Sequence, residues 1–344
     1  MSPTLVAGLS LLAMLGLIWA GMHVAVVLAV VSFAGVWLIR GDWEVAANLL
    51  AQASQDAIAS HIFGVVPLFV LTGFLVAIAD VGKDAFEVAN QVLRRLRGGL
   101  GIATVASNAV FAAITGISIA SAAVFTRVAV PEMLRFGYHP RFAVGVVAGS
   151  SVLGMLIPPS LLMILYGFLA NQSVGDLFTA GIVPGLVLAL AYSVGIVLMA
   201  TLWPRSVYDN GVPQPVAHEA LMPAGTLLLK LLPSVLLIAA VLGGLYAGFF
   251  TATEAGATGA AVALAIAFAR RRLTLQSLWS VLVETGHVTV SVSFLIICAT
   301  IYTRMLAMSG LPQAGQGPRL ASVNVTSSPD SSAALSSPKS NSSL

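Results

Sequence analysis

Residues 99–126 read GLGIATVASNAVFAAITGISIASAAVFT and carry no charge, yet Thr104, Ser107, Asn108, Thr115, Ser118 and Ser121 set hydroxyl and amide oxygens around Gly116. A second group of small polar residues lies within 142–170, where Gly149, Ser150 and Gly154 lead to Pro158, Pro159 and Ser160. A third feature, Thr253–Glu254, stands at the mouth of another apolar run. Hydroxyls, together with carbonyls freed where proline and glycine break a helix, are ligands for a hard monovalent cation or a small polar solute. They are not catalytic machinery. The sequence has no HExxH, no GxxxxGK(S/T) and no Rossmann fingerprint, so metalloprotease, nucleotide-driven pump and dehydrogenase readings have no support. A serine hydrolase needs an activating base; His23, His61, His139, His218 and His287 lie mostly near predicted interfaces or loops, without an obvious serine partner. The single cysteine, Cys298, excludes an internal disulfide and a cysteine metal site.

The elements that must hold these oxygens belong in a membrane. The chain is 58% hydrophobic and 8% charged, whereas a soluble domain carries about 25% charged residues. An all-α polytopic membrane protein follows, with several stretches reaching the ~20 apolar residues that cross a bilayer core. The net charge of +3 is low for a nucleic-acid binder. The basic residues cluster between apolar segments, as expected of cytoplasmic loops. The start, MSPTLVAGLS, has neither a basic n-region nor a convincing cleavage site and is read as the first span.

Two short spans, 4–20 and 23–39, are expected around Gly21–Met22–His23, followed by an interfacial amphipathic helix over 43–62 and a span over 64–80. A second amphipathic stretch carries Arg94, Arg95 and Arg97. Segment 99–126 lies between that basic stretch and Arg127–Arg141, so both of its flanks are cytoplasmic. Two ends on one side make it a re-entrant hairpin with Thr115–Gly116 near the tip; the alternative is one span with tolerated hydroxyls. The two prolines in 142–170 break a helix, as an ordinary kink or as a longer unwound stretch. A turn at 171–176 precedes spans near 180–202 and 226–249, with a polar loop at 203–224 between them. Glu254 reads either as a carboxylate at membrane depth with a function, or with Thr253 as a helix cap and first-turn acid. Arg270–Arg272 marks another cytoplasmic edge, and a last span covers 280–303. The serine-rich residues 313–344 read as disorder.

The motifs VPLFVLTGFLVA (66–77), FAAITGISIASAA (111–123), PEMLRFGYHPRFAVG (131–145), LGMLIPPSLLMILYG (153–167), SVGDLFTAGIVPG (173–185) and TATEAGATGA (251–260) resemble the large membrane subunit, DctM type, of tripartite ATP-independent periplasmic (TRAP) transporters. The resemblance covers about residues 1–312. It implies an inner-membrane elevator-type transporter built from inverted repeats, driven by a sodium gradient. Such a transporter moves C4-dicarboxylates or other small carboxylates with a small membrane subunit and a periplasmic binding protein. On this resemblance 1–202 is the first repeat, 225–312 part of the second, and the cation and substrate region takes Ser107, Asn108, Thr115, Gly116, Ser118, Pro158, Pro159 and Ser160. Two positions depart from the family pattern: Ile117 stands where a serine is usual, and Ala252 where proline is usual. The second hairpin and second broken helix are not found, so a truncated or frame-shifted product after about Pro312 is expected. The competing readings are a stand-alone sodium-coupled anion symporter and a non-transporting membrane subunit. No deep arginine marks a carboxylate clamp, and Lys230 is the nearest candidate.

Overall fold

The computed structural model describes residues 2–59, 62–170, 172–209, 211 and 222–310. The tail 313–344, most of the loop 203–224, His61 and His218 lie outside the described residues. Every named element among the described residues is helical, and the helices gather into two compact units, the described residues up to 56 with 297–310 and those within 57–296.

In the first unit α1 (Pro3–Trp19) and α2 (Val24–Arg40) are joined by the tight turn expected at Gly21–His23. α3 (Trp43–Ala59) follows. The end of the last helix joins them: the Ser10 and Tyr302 hydroxyls lie 3.3 Å apart, and Arg304 meets Asp56 at 2.7 Å. Met305 fills the space left by Gly35, where a Cβ would stand 3.0 Å from its sulfur.

The second unit begins with α4 (Ile62–Ile78) and α5 (Val81–Leu93), then α6 (Gly99–Thr115) and α7 (Ser118–Arg135). α8 (Pro140–Ser151), α9 (Leu153–Leu156) and α10 (Leu161–Leu169) form the broken helix, bent by 44° at its break. α11 (Val174–Leu202), α12 (Pro204–Val207), α13 (Ala224–Ile238), α14 (Gly244–Tyr246), α15 (Ala252–Ala269) and α16 (Leu275–Met308) complete the order.

Several bounds differ from expectation, each for a local reason. α11 starts at Val174 because Ser173 caps it, its hydroxyl accepting from Asp176 N–H at 3.4 Å, so the 171–176 turn is already half helix. α16 starts at Leu275 behind a Thr274–Ser277 cap, in which Ser277 N–H donates to the Thr274 hydroxyl at 3.1 Å. The return arm α7 runs past residue 126 to Arg135: no glycine interrupts it, and Pro131 removes only one backbone donor.

Four helices among the described residues are long and apolar enough to cross a membrane, and two bent pairs bring the number to six. α1 and α2, at 17 residues each, lie at the lower limit of about 17 for a span. Trp19, Trp43, Trp203 and Trp279 sit exposed near helix ends, where aromatic side chains mark a membrane–water boundary.

Burial separates lipid-facing helices from the core. α11 buries five of its 29 residues, whereas α6 buries thirteen of 17. α6 is therefore sheathed in protein, the condition under which a polar helix and a broken backbone are tolerated at membrane depth. α4 and α15 approach closely through small residues: a Cβ on Gly256 would stand 3.1 Å from Leu68 Cβ, the packing mode of helices that gain nothing from hydrophobic burial. Along α5 and the residue preceding it, Asp80 pairs with Arg272 at 2.8 Å, Asp84 with Arg270, and Glu87 with Lys230. These pairs tie α5 to α13 and to the end of α15.

Candidate functional site: a hairpin tip seated on a broken helix

α6 ends because Gly116 turns left-handed at φ 64° and its N–H closes on Ala112 O at 3.0 Å, an αL cap that favours glycine. Ile117 is extended, and α7 starts at Ser118. The broken helix stops at Leu156, passes through Ile157 and the cis Pro158–Pro159 peptide, and restarts behind Ser160. The Ser160 hydroxyl donates to Met155 O at 2.6 Å and accepts from Met163 N–H at 3.4 Å, so one side chain bridges both halves of the break.

The tip and the break interlock. Leu161 N–H donates to Gly116 O at 3.1 Å. A Cβ on Gly116 would stand 2.0 Å from Pro159 O, and one on Gly154 would stand 3.0 Å from Ser118 N. Both contacts are backbone against backbone and leave no room for a side chain. Four helix ends meet here: α6 and α9 bring their carbonyl ends, α7 and α10 their amide ends. Carbonyl ends carry partial negative charge and suit a cation, while amide ends suit an anionic group.

The polar side chains of the hairpin mostly serve the protein itself. Thr104, Ser107 and Thr115 donate back to Leu100 O, Ala103 O and Phe111 O at 2.8, 2.7 and 3.0 Å. Asn108 is fully buried; its amide donates to Ser150 Oγ at 2.5 Å, and its carbonyl oxygen accepts from the Ser121 hydroxyl. This triad clamps α6 to both α7 and α8. Ser118 differs from the rest: it is half-buried at the tip, and its hydroxyl has no partner among the described residues.

At the root of the hairpin, Tyr138 and Tyr208 lie 4.9 Å apart between ring centroids, and the Tyr208 hydroxyl accepts from Gly98 N–H at 3.1 Å. Burial, and then the neighbouring Tyr208, raise the Tyr138 phenol above its usual range, so this ring serves as a neutral packing group.

Residues 11–316 match the family described as Tripartite ATP-independent periplasmic transporter, DctM component. The chain belongs to the DctM family. Among similar DctM-family proteins, the C4-dicarboxylate TRAP transporter large permease protein DctM of Pseudomonas aeruginosa is 36% identical over 249 residues. That match covers 72% of this chain and 56% of the relative, so the chain spans little more than half of that protein. The sialic acid TRAP transporter large permease protein SiaM of Vibrio cholerae is 31% identical over 305 residues, 88% of this chain and 69% of the relative. The ectoine TRAP transporter large permease protein TeaC of Halomonas elongata is 29% identical over 318 residues, with the same two coverages. DctM-family chains are transporter components rather than enzymes, and membership places this one in the bacterial inner membrane.

Within this DctM-family fold, Gly116, Ser118, Pro158, Pro159 and Ser160 come together at the tip. Thr115 closes α6 beside them. Ser107 and Asn108 lie two turns down α6, inside the clamp. Thr253 and Glu254 belong to another element, and the cap there is shifted. Thr251, not Thr253, is the N-cap: Glu254 Oε2 accepts from Thr251 N–H and from its hydroxyl, both at 2.8 Å, and the Thr251 hydroxyl accepts from Glu254 N–H. The spacing Thr251-x-x-Glu254 is that of a capping box and was there to be read. Lys230 is closed by Glu87. Ser121 and Ser150 complete the clamp; no local pattern pairs Asn108 with a residue 42 positions away.

Proposed function

We propose that this chain acts as the membrane permease component of a TRAP-type secondary transporter, importing a small carboxylate at the expense of a sodium gradient. The seat of Gly116 on Pro159 supports the reading most strongly, because it brings two carbonyl ends and two amide ends of helices to one protein-enclosed place. Sodium takes its ligands there from backbone carbonyls and the free Ser118 hydroxyl, while Ser107, Asn108 and Thr115 hold the hairpin in shape. Gly116, Pro158, Pro159 and Ser160 supply the open backbone. The solute arrives from a periplasmic binding protein, a small membrane subunit completes the assembly, and the hairpin and broken helix travel together in an elevator motion.

The test is uptake into vesicles holding the chain with its small subunit, supplied with binding protein and labelled succinate, sialic acid or ectoine. Uptake of one solute that needs both sodium and the binding protein is expected. Uptake that survives removal of the binding protein would mean a stand-alone symporter. Stable association with the small subunit, without cation-dependent uptake or solute binding, would mean a non-transporting subunit.

A further inference from the structure

A cavity of about 660 Å³ opens along the return arm of the hairpin, between α4, α5, α7 and α16. Its walls are largely apolar: Ala123 and Val124 come from one face of α7, Phe74 from α4 and Val281 from the second turn of α16. Five charged residues also line it. Arg272 is closed by Asp80 at 2.8 Å. Lys83 leans to 3.9 Å from Glu87, outside the cavity, although Glu87 is already held by Lys230. Two charges remain without an opposite partner among the described residues: Arg127 on α7 and Glu284 on α16.

Arg127 and Glu284, both exposed, line the same cavity from different helices, and no ion pair joins them. A guanidinium presents a planar fork of donors that fits a carboxylate, and a carboxylate accepts from an ammonium or lies against a quaternary one. Between the two, the apolar wall suits a short aliphatic skeleton. We infer that this cavity binds a small zwitterion, its carboxylate on Arg127, its cationic nitrogen on Glu284 and its carbon skeleton against Phe74 and Val124. The role of such binding in uptake rests on the permease reading above; the binding itself does not.

The experiment uses the full chain in a non-ionic detergent with Cys298→Ser and a reporter thiol at Ala123→Cys, a cavity residue. Its reaction rate is followed with an anionic and a cationic methanethiosulfonate reagent. Glycine betaine and alanine are expected to slow both reagents several-fold, whereas succinate and choline slow neither. Arg127→Gln should lower the ratio of anionic to cationic reaction rates and Glu284→Gln should raise it, each by roughly threefold to tenfold from the lost local charge, and each should abolish protection by betaine. A second reporter, Ser280→Cys on the α16 side, should repeat the profile. An unreactive cavity, equal protection by succinate, or rate ratios unchanged by either charge removal would overturn the inference. Absence of protection with Arg127 and Glu284 both in place, beside intact sodium-dependent uptake, would sink this inference alone, and protection without uptake would sink only the permease reading.

Discussion

Gly116 carries two separate constraints: a left-handed backbone and a Cβ position only 2.0 Å from Pro159 O. Either one disfavours a side chain, and the second cannot be relieved by a rotamer because the neighbour is backbone. Gly116→Ala is therefore expected to cost more than about 2 kcal/mol. In thermal unfolding of the detergent-purified protein this reads as a lowered and broadened transition, and an unchanged transition would show that the tip is not seated on the break. Asn108 makes a different prediction. Asn108→Ala leaves the Ser121 and Ser150 hydroxyls buried without their partner, a loss of about 1–3 kcal/mol for each unsatisfied group that the site cannot rearrange. A denaturation midpoint equal to the wild type would remove the clamp from the account. Glu254→Ala, which opens only one half of an exposed capping box, should lower the unfolding transition far less than either change at the hairpin.

At the scale of elements, α5 and its preceding residue present Asp80, Asp84 and Glu87 on one helical face, and Arg272, Arg270 and Lys230 answer them. The exposure of these side chains ranges from 15% to 59%, so solvent weakens the pairs. A double-mutant cycle with Glu87→Gln and Lys230→Met should give a coupling of about 1 kcal/mol at most, measured by unfolding at low salt and reduced by added salt. A coupling of several kcal/mol would mean that the pair is sealed from water. The ladder also shows where sequence reading stopped. The spacing of the three carboxylates places them on one helical face, but their cations lie 143 to 192 positions further on and follow only from packing. Lys230 accordingly looked like a lone cation in the sequence and is a latch in the fold.

For the whole molecule, the decisive question is which side of the membrane each end of the hairpin occupies. Positive charge flanks both arms, so cysteines placed at the exposed positions Arg97 and Arg141 in a Cys298→Ser background should both be labelled from the cytoplasmic face and neither from outside. Labelling from opposite faces would turn the hairpin into a crossing. At the same scale, family membership gives a transporter component but leaves the solute open, because relatives of similar identity are named for a C4-dicarboxylate, sialic acid and ectoine.

Hydropathy, glycine, proline and caps act within a few residues, and what depends on them was legible in the sequence: the helical class, the membrane, the turn at Gly116 and the break at Pro158–Pro159. The expected bounds slipped where a cap stood earlier, as Ser173, Thr251 and Thr274 show. Tertiary structure decided that the turn and the break touch, since 43 positions separate Gly116 from Pro159 and no local preference fixes their distance. It also decided what the hairpin hydroxyls do. By type, Ser107, Asn108, Thr115 and Ser118 are all possible ligands; only packing reveals that the first three are engaged within the protein and that Ser118 is left free. Ser107 and Thr115 turn back on carbonyls of their own helix, whereas the partners of Asn108 come from two other helices, α7 and α8.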